Sequence, residues 1–279
     1  MRIAFLGDIN GAPGRQVLTQ QLPLLRERFR PDCILANAEN AKAGSGVTPE
    51  QFQQFRALGI DGCTLGDHAF REPRIIPLLE SPNEPIIRPA NLSRKAPGKR
   101  LLRIAPNAAT SGGVTSGRQR DVWMLTVLGR VFMPLPADDP FAAADELLAQ
   151  IPERDPIVIV EAHMEATSEK VALAHYLDGR VSAVLGTHTH VPTADERILR
   201  KGTAFQTDVG MCGPYETVIG RDIEMVVKAM TTSLHVAYAM GEGGEAVSGT
   251  ILDIDDASGR ARSIERIFLP ADQSRAPFR

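Results

Sequence analysis

Cysteine is scarce in this sequence. The chain of 279 residues contains three cysteines, Cys33, Cys63 and Cys212, which lie far apart and form no Cys-x-x-Cys pair. Disulfide frameworks and zinc knuckles use paired or closely spaced cysteines, so this distribution argues against both and favours a reducing compartment. Cys33 and Cys63 fall in predicted strands, where we expect core residues rather than nucleophiles.

The sequence also lacks an excess of basic charge and a long apolar run. It carries 31 basic and 34 acidic residues, a formal net charge of −3. Because binding to a nucleic-acid backbone needs a basic face, we expect no DNA partner, whereas a small phosphorylated ligand is compatible with this charge. No apolar run approaches the length of a membrane span, and the N-terminal residues begin a strand without a signal-peptide layout. These absences predict a cytoplasmic protein without a membrane partner.

What the sequence does contain is a His-x-His motif after an apolar strand. The motif is Gly-Thr-His-Thr-His at residues 186–190, and it follows the apolar, β-branched run of residues 181–185. On an extended backbone, His188 and His190 point to the same side and can face one metal site. Imidazole is a common ligand of transition metals. The motif is weak on its own, because two exposed loop histidines give the same pattern.

Other predicted strands end in similar groups. The first third of the chain reads β-α-β-α-β, and its three strands are followed by Asp8, by Glu39 and Asn40, and by Asp67 and His68. The apolar strand at residues 157–160 leads to His163. Any one of these groups could cap a helix, but ligands of open α/β sheets gather at the carboxyl ends of strands, so we expect a common site there. A mixed set of oxygen and nitrogen ligands suits two ions such as manganese, iron or zinc, with Glu39 as a candidate bridge.

The rest of the pattern predicts helices and a β-rich tail. Helices are expected at about residues 11–29, 49–59, 140–150, 168–177 and 222–230, with a break or kink at Pro23 and caps at Thr48 and Asp139. Residues 95–117 are predicted to form a loop or an edge hairpin, and residues 208–214 a glycine-rich loop. The tail is predicted as three strands, at residues 234–239, 246–254 and 263–269.

Taken in order, these motifs resemble those of the calcineurin-like metallophosphoesterases. That superfamily reads Asp-x-His, Gly-Asp, Gly-Asn-His, a single His, and Gly-His-x-His. This chain has Gly-Asp-Ile-Asn at residues 7–10, Glu-Asn at 39–40, Gly-Asp-His at 66–68, His163, and Gly-Thr-His-Thr-His at 186–190. The second and last of these variants resemble the bacterial YmdB-like family, as do Arg-Pro-Ala-Asn at 88–91, residues 163–170 and Thr-Asp-Val-Gly at 207–210. The resemblance covers almost the whole chain and is loosest between residues 94 and 121.

The resemblance implies a fold and an activity. The fold would be a single α/β domain over residues 1–279, a calcineurin-like sandwich of two mixed sheets flanked by helices, with room for a small lobe or loop insertion near residues 94–120. The activity would be that of a cytoplasmic phosphodiesterase that hydrolyses cyclic nucleotides, 2′,3′-cyclic ones above all, with a hydroxide activated by two metal ions. Iron or manganese are the expected metals, with zinc and magnesium as alternatives. A homo-oligomer is expected on general grounds.

Carried over motif by motif, the resemblance also implies roles for individual residues. One metal would be bound by Asp8, Glu39 and His190. The second metal would be bound by Glu39, Asp67, His163 and His188. His68 would lie near the leaving group as a general acid, and Asn40 near the phosphoryl oxygens. Asn91 is a further candidate for substrate binding.

Two positions depart from the superfamily pattern. Asn10 replaces the histidine of Asp-x-His, which the YmdB-like family also lacks, so the first metal is expected to be less fully ligated. Asp67 replaces the usual asparagine, which is unusual even within the family. Our hypothesis is that its negative charge favours a harder or more highly charged ion and weakens Lewis acidity toward an anionic substrate. Two alternatives stay open: a nucleotidase or general phosphomonoesterase with the same metals, and a weakly active, metal-binding regulatory protein.

Overall fold

A computed structural model describes residues 1–106 and 120–272 as two mixed β-sheets with α-helices on their outer faces. The strands in this part of the chain are β1 (Arg2–Leu6), β2 (Asp8–Ile9), β3 (Cys33–Asn37), β4 (Gly62–Thr64), β5 (Ile86–Ile87), β6 (Leu102–Ile104), β7 (Val122–Leu128), β8 (Ile157–His163), β9 (Ala183–Thr187), β10 (Arg197–Ile198), β11 (Ala204–Gln206), β12 (Met211–Pro214), β13 (Glu245–Ile254) and β14 (Ala261–Pro270). The helices are α1 (Gly11–Phe29), α2 (Pro49–Ala57), α3 (Ile76–Glu80), α4 (Pro140–Leu148), α5 (Thr167–Leu177) and α6 (Ile223–Thr232), and a 3-10 turn spans Pro73–Ile75. The predicted fold class, two mixed sheets flanked by helices, is confirmed.

The parallel strands of both sheets carry the site. The first sheet has the order β2-β12-β13-β1-β3-β4-β5, with β14 also paired to β13. In it, β1, β3, β4 and β5 are parallel, and β13 is antiparallel to β1. The second sheet has the order β10-β11-β9-β8-β7-β6, in which β11, β9, β8 and β7 are parallel and the edge strands β6 and β10 are antiparallel to their neighbours. Each sheet therefore directs the carboxyl ends of its parallel strands to one edge.

The core has three apolar layers because strand residues alternate between the faces of a sheet. In β1, Ile3 and Phe5 belong to the layer between the sheets, together with Met124 and Ile159 of the second sheet. The other face of the first sheet packs against α1 and α2, and the other face of the second sheet packs against α4 and α5. The fold is thus a four-layer sandwich of helix, sheet, sheet and helix, and the inner layer fixes the two sheets against each other.

The helix boundaries follow the local chemistry of the sequence. The hydroxyl of Thr48 accepts a hydrogen bond from the backbone N–H of Gln51, whose side chain accepts one from the backbone N–H of Thr48. This capping box starts α2 as predicted, and Asp139 caps α4. The predicted break at Pro23 is wrong, because α1 is one helix on both sides of this exposed proline while its opposite face stays buried against the sheet.

Two predictions for loops and the tail differ from the structure, and a third is confirmed in part. Residues 234–239 form no strand; their alternating apolar pattern imitates one, but they are exposed after α6 and meet no sheet edge. Residues 211–214 of the predicted glycine-rich loop form β12, which pairs with β2 and β13. For residues 95–117, predicted as a loop or an edge hairpin, the strand of the hairpin is confirmed, because residues 102–104 form the edge strand β6 antiparallel to β7. Residues 107–119, which make up about half of the predicted insertion near residues 94–120, lie outside the described residues. No helix in the described ranges combines the length and apolar composition that a membrane crossing requires.

Candidate metal centre

Polar side chains from five strand ends meet at the shared carboxyl edge of the two sheets. The first sheet contributes the residues that follow β1, β3 and β4, and the second sheet contributes the last residue of β8 and the turn after β9. The side chains that form this cluster are Asp8, Glu39, Asn40, Asp67, His68, His163, His188 and His190. All the predicted metal-binding and catalytic residues therefore lie together, whereas the side-chain hydrogen bonds of Asn91 go to other residues.

Four of these side chains form the tightest group. Glu39, Asp67, His163 and His188 each offer one ligand atom, and these atoms lie within 4.8 Å of one another. Nε2 of His163 is 3.1 Å from Oε1 of Glu39 and 3.0 Å from Oδ1 of Asp67. Nδ1 of His188 is 3.3 Å from the same oxygen of Asp67. Two carboxylates and two imidazoles that converge in this way suit a transition-metal ion.

A second group adjoins the first through Glu39. Nε2 of His190 lies 3.7 Å from Oδ1 of Asp8, and Nδ2 of Asn40 lies 3.3 Å from that oxygen and 3.2 Å from Nε2 of His190. The same Asn40 nitrogen is 3.4 Å from Oε1 of Glu39, the oxygen that also faces His163. Glu39 thus touches both groups, as a bridging carboxylate in a two-metal site does.

Three of the imidazoles, those of His163, His188 and His190, turn one ring nitrogen to the cluster and the other to a partner outside it. The outward nitrogens are Nδ1 of His163, Nε2 of His188 and Nδ1 of His190. Their partners are, in that order, Oγ1 of Thr187 at 2.9 Å, Oε2 of Glu165 at 3.3 Å and the carbonyl oxygen of Ile219 at 2.9 Å. A partner on the second ring nitrogen is typical of metal-binding histidines and fixes the ring orientation. The atoms free to bind a metal are therefore Nε2 of His163, Nδ1 of His188 and Nε2 of His190.

The electrostatics of the cluster favour a cation. Asp8 and Glu39 are fully buried, and Asp67 is 10% exposed. Burial would raise the pKa of Asp8, but the hydrogen bond and charge of His190 lower it to about 2. Burial likewise opposes a charge on His163, yet the neighbouring Glu39 and Asp67 raise its pKa well above the ordinary value. The raised pKa of His163 shows that the neighbouring carboxylates favour a positive charge at this position. A metal ion would supply that charge, and the carboxylate and imidazole donors fit such an ion.

Gly66 allows the two sheets to approach at the centre of the cluster. A Cβ atom at this position would lie 2.3 Å from Oε2 of Glu39 and 2.3 Å from Nε2 of His163. Only glycine avoids both overlaps, which explains the Gly in the Gly-Asp-His motif. The backbone N–H of His68, two residues later, donates to Oε2 of Glu39 at 3.0 Å.

His68 and Asn40 form a pair at the rim of the cluster. Nδ1 of His68 lies 2.8 Å from Oδ1 of Asn40, and Nε2 of His68 lies 3.6 Å from Oδ2 of Asp67. The imidazole is 25% exposed, so a ligand can reach it from solvent. This position is compatible with proton transfer to a group bound at the cluster.

Asn91 has a different environment from the one predicted. Its side chain is buried, its amide nitrogen donates to the carbonyl oxygens of Leu128 and Asp138, and its amide oxygen accepts from the N–H of Leu128. Both amide hydrogens are therefore used in holding a loop to the end of β7. This geometry argues against the predicted role of Asn91 in binding substrate.

Asn10 does not take the place of the missing histidine ligand. Its side chain is buried, and Nδ2 lies 3.3 Å from Nδ1 of His190, the nitrogen that faces away from the cluster. Asn10 therefore supports the ring of His190 from behind. The expectation that a first metal would be less fully ligated stays a prediction.

Sequence reasoning missed a buried network beneath the cluster. Oε1 of Glu161 accepts hydrogen bonds of 2.7 Å from Nδ2 of Asn37 and from Oγ1 of Thr187. Oδ1 of Asn37 accepts from the backbone N–H of Glu39 at 2.9 Å, and Thr187 contacts His163 as described above. The network thus joins the backbone of one ligand to the ring of another. The available signal was a polar residue directly after an apolar run in each of two strands, Asn37 at the end of β3 and Glu161 in β8.

Known proteins resemble this chain over nearly its whole length. The chain is 41% identical over 273 residues to the 2′,3′-cyclic-nucleotide 2′-phosphodiesterase of Bacillus subtilis (strain 168), an alignment that covers 98% of each chain. A hypothetical protein from Thermus thermophilus has a crystal structure with a TM-score of 0.85 and 40% identity, covering 97% of this chain and 99% of that one. A crystal structure described as a novel phosphatase, from Mycoplasma pneumoniae, has a TM-score of 0.86 and 28% identity over 99% of this chain and 95% of that one. The family model for YmdB-like protein matches residues 4–267, and the chain therefore belongs to the YmdB-like family.

Proposed function

We propose that this protein is a metal-dependent phosphodiesterase that hydrolyses cyclic nucleotides, with 2′,3′-cyclic nucleotides as its substrates. The observation that carries the proposal is the cluster of three carboxylates and three histidines from two sheets, with a partly exposed histidine at its rim. The named activity of the Bacillus subtilis relative supports the choice of substrate class. We further propose that the sandwich is of the calcineurin-like metallophosphoesterase type.

The proposed cofactor is a pair of metal ions, iron or manganese in the first instance and zinc or magnesium as alternatives. Asp8, Glu39 and His190 would hold one ion, and Glu39, Asp67, His163 and His188 the other. When bound, such a pair supplies Lewis acidity and a nucleophilic water at neutral pH. The two binding groups would share Glu39. The contacts of Glu39 with Asn40 in one group and His163 in the other support this sharing.

His68 and Asn40 would perform the proton and charge chemistry. The Asn40 amide oxygen accepts from Nδ1–H of His68, which leaves Nε2–H of the protonated ring to donate to the leaving alkoxide. Opening a 2′,3′-cyclic phosphate releases a ribose alkoxide, a poor leaving group that needs this proton, and such general acids contribute about 10²–10⁴-fold to rate. The Asn40 amide nitrogen, which lies between the two metal-binding groups, would donate to a phosphoryl oxygen as negative charge grows there.

Two further proposals concern the setting of the enzyme. The three cysteines are buried and unpaired, which supports a reducing, cytoplasmic location. Val226 is the only buried residue of α6, and the apolar side chains of Ile223, Val227 and Met230 on this helix are exposed. An exposed apolar face of this kind supports a homo-oligomer, which light scattering on the purified protein would test.

The decisive experiment is hydrolysis of 2′,3′-cyclic AMP by the manganese-reconstituted protein, with Asp8→Ala as the control. We expect turnover that the control loses, and chromatography of the nucleoside monophosphate formed shows which ester bond is broken. Turnover of a nucleoside monophosphate but not of the cyclic ester would favour the phosphomonoesterase alternative. A protein that binds no metal and turns over neither substrate would contradict the proposal and favour the regulatory alternative.

A further inference from the structure

Lys170 and Asp208 form a buried ion pair next to the metal centre. Nζ of Lys170 lies 2.7 Å from Oδ2 of Asp208, and the two side chains are 0% and 1% exposed. The apolar residues around Lys170 on the buried face of α5, among them Leu173 and Leu177, show that this face otherwise belongs to the core. Lysine is almost never fully buried, so its presence here needs a reason other than core packing.

Asp208 also holds the turn between two of the proposed ligands. Its Oδ2 accepts from the backbone N–H of Thr189 at 3.2 Å and from the Thr189 hydroxyl at 2.8 Å. Its Oδ1 accepts from the N–H of Gly210 at 2.8 Å, which fixes the carboxylate in place. Thr189 is the residue between His188 and His190, so one carboxylate anchors the segment that presents both imidazoles.

That segment has an unfavourable backbone conformation. The φ angle is +93° at His188 and +66° at His190, in the region that residues with a side chain rarely adopt. Such strain persists only where surrounding contacts over-determine the conformation, and it is found mostly at functional sites. The hydrogen bonds from Thr189 to Asp208 fix the backbone in this way, because Thr189 lies between the two strained residues.

We propose that Lys170 and Asp208 are positioning residues for the metal centre, and that the pair holds His188 and His190 in the geometry that binds metal. Lys170 acts through Asp208. Its charge compensates this buried carboxylate, which accepts three hydrogen bonds from backbone and hydroxyl donors. Without the carboxylate, Thr189 loses its acceptor and the strained turn relaxes. Without the lysine, the carboxylate is left buried and unpaired.

The test is Mn²⁺ affinity, measured by calorimetric titration of the purified chain. Lys170→Met with Asp208→Leu removes both charges together, so no unpaired charge remains in the core and the double variant is expected to fold. We expect its Mn²⁺ dissociation constant to rise about 10–100-fold, the effect of removing groups that orient metal ligands. Thr189→Val is the milder variant that removes only the hydroxyl contact, and we expect a loss of several-fold that Thr189→Ser restores.

Arg88→Met provides the matched control for loss of a buried cation. Arg88 is 2% exposed and donates to backbone carbonyls of residues 89–97, away from residues 188–190. We expect this variant to be less stable but to keep the parent Mn²⁺ affinity. The inference is overturned if the folded double variant and Thr189→Val both bind Mn²⁺ like the parent, or if Arg88→Met weakens binding equally. A parent chain that binds no Mn²⁺ would overturn it together with the metal centre, whereas binding without turnover would count against the proposed function alone.

Discussion

Oδ1 of Asp67 lies 3.0 Å from Nε2 of His163, and Nδ1 of His188 lies 3.3 Å from the same oxygen. One carboxylate oxygen therefore faces two imidazole nitrogens that have their other ring nitrogens engaged elsewhere. Hydrogen bonds from these two rings outweigh burial and hold the pKa of Asp67 well below its ordinary value. In the superfamily pattern an asparagine stands at this position, and its neutral oxygen would leave the cluster with one negative charge fewer.

Asp67→Asn tests what that charge does. We expect the variant to bind Mn²⁺ about tenfold more weakly, because an anionic group that faces two metal-binding imidazoles is lost. The turnover of each metal-loaded molecule should rise, since a less neutralised metal pair attracts an anionic phosphate more strongly. Metal content by elemental analysis and kcat at saturating Mn²⁺ measure the two effects.

Asp155→Asn is the matched control, because Asp155 is exposed and far from the cluster in the loop before β8. It should change neither quantity. If Asp67→Asn also leaves both metal content and turnover unchanged, the hypothesis that this aspartate tunes the metal pair is wrong.

His68→Ala tests the general acid. With 2′,3′-cyclic AMP, whose leaving alkoxide needs a proton, we expect kcat to fall by about 10²–10⁴-fold. With bis(p-nitrophenyl) phosphate, whose leaving nitrophenolate needs none, the loss should be less than tenfold. The comparison of the two substrates on one variant separates proton transfer from a general disturbance of the site.

His175→Ala controls for the loss of a histidine, since His175 is exposed on α5. Both substrates should be hydrolysed at the parent rate by this variant. Equal losses on both substrates for His68→Ala would count against an acid role and in favour of a role of the ring in holding the Asn40 side chain, whose Oδ1 lies 2.8 Å from Nδ1 of His68.

The residues of the metal-binding cluster could be predicted from the sequence because they directly follow apolar runs. Asp8, Glu39, Asp67 and His188 lie just past a strand end, where an apolar pattern breaks, and parallel strands must bring such ends together. Asn91 shows the limit of this reasoning. It also follows a strand, but its amide ties β7 to a loop, and no local pattern distinguishes the two uses of a strand-end amide.

The network under the cluster could not be predicted in the same way. Asn37 and Glu161 are 124 residues apart and lie in different sheets, so their contact depends on how the two sheets stack. Lys170 and Asp208 are 38 residues apart, and their contact depends on how α5 packs against the second sheet. The sequence pattern also misplaced residues 234–239, where alternating apolar residues resemble a half-buried strand but no sheet edge is there to pair with them.

Glu161→Gln tests whether the buried network serves the metals. Glu161 is fully buried, its Oε2 has no hydrogen-bond partner among the described residues, and Nδ1 of His163 lies 3.9 Å from its Oε1, so its charge is only partly compensated in the metal-free protein. We expect the variant to raise the melting temperature of the metal-free protein by about 2–4 °C, which corresponds to ~1 kcal/mol in a domain of this size. Addition of Mn²⁺ should then stabilise the variant less than the parent, because the metals no longer compensate that charge.

Thr187 offers a matched pair for the same network. Thr187→Ser keeps the hydroxyl between His163 and Glu161, whereas Thr187→Val keeps the shape and removes it. Mn²⁺ affinity should be retained in the first and fall about tenfold in the second. A Glu161→Gln protein whose melting temperature and Mn²⁺ response both equal those of the parent would show that the network has no electrostatic link to the metals.

Glu72 makes stability depend on pH outside the metal centre. Its carboxylate is largely buried and lies 2.6 Å from Nζ of Lys42 and 3.1 Å from Nε of Arg74. The hydrogen bond from Lys42, followed by those from Arg74, lowers the pKa of Glu72 from 4.5 to about 2. Because the folded pKa is the lower one, the ionised carboxylate stabilises the fold fully above the unfolded pKa. That contribution is lost as the pH falls from about 4.5 towards 2.

Glu72→Gln should therefore lower the free energy of unfolding at pH 7, and the difference from the parent should shrink as the pH is lowered below about 4.5. Urea denaturation of the metal-free proteins between pH 7 and pH 3 measures this difference. Glu27→Gln, at an exposed position on α1, is the matched control and should follow the parent at every pH. The difference in free energy of unfolding between Glu72→Gln and the parent could instead stay constant down to pH 3. That result would mean that the side chain stabilises the loop by packing, because packing does not depend on pH. The ion pairs with Lys42 and Arg74 would then contribute nothing measurable.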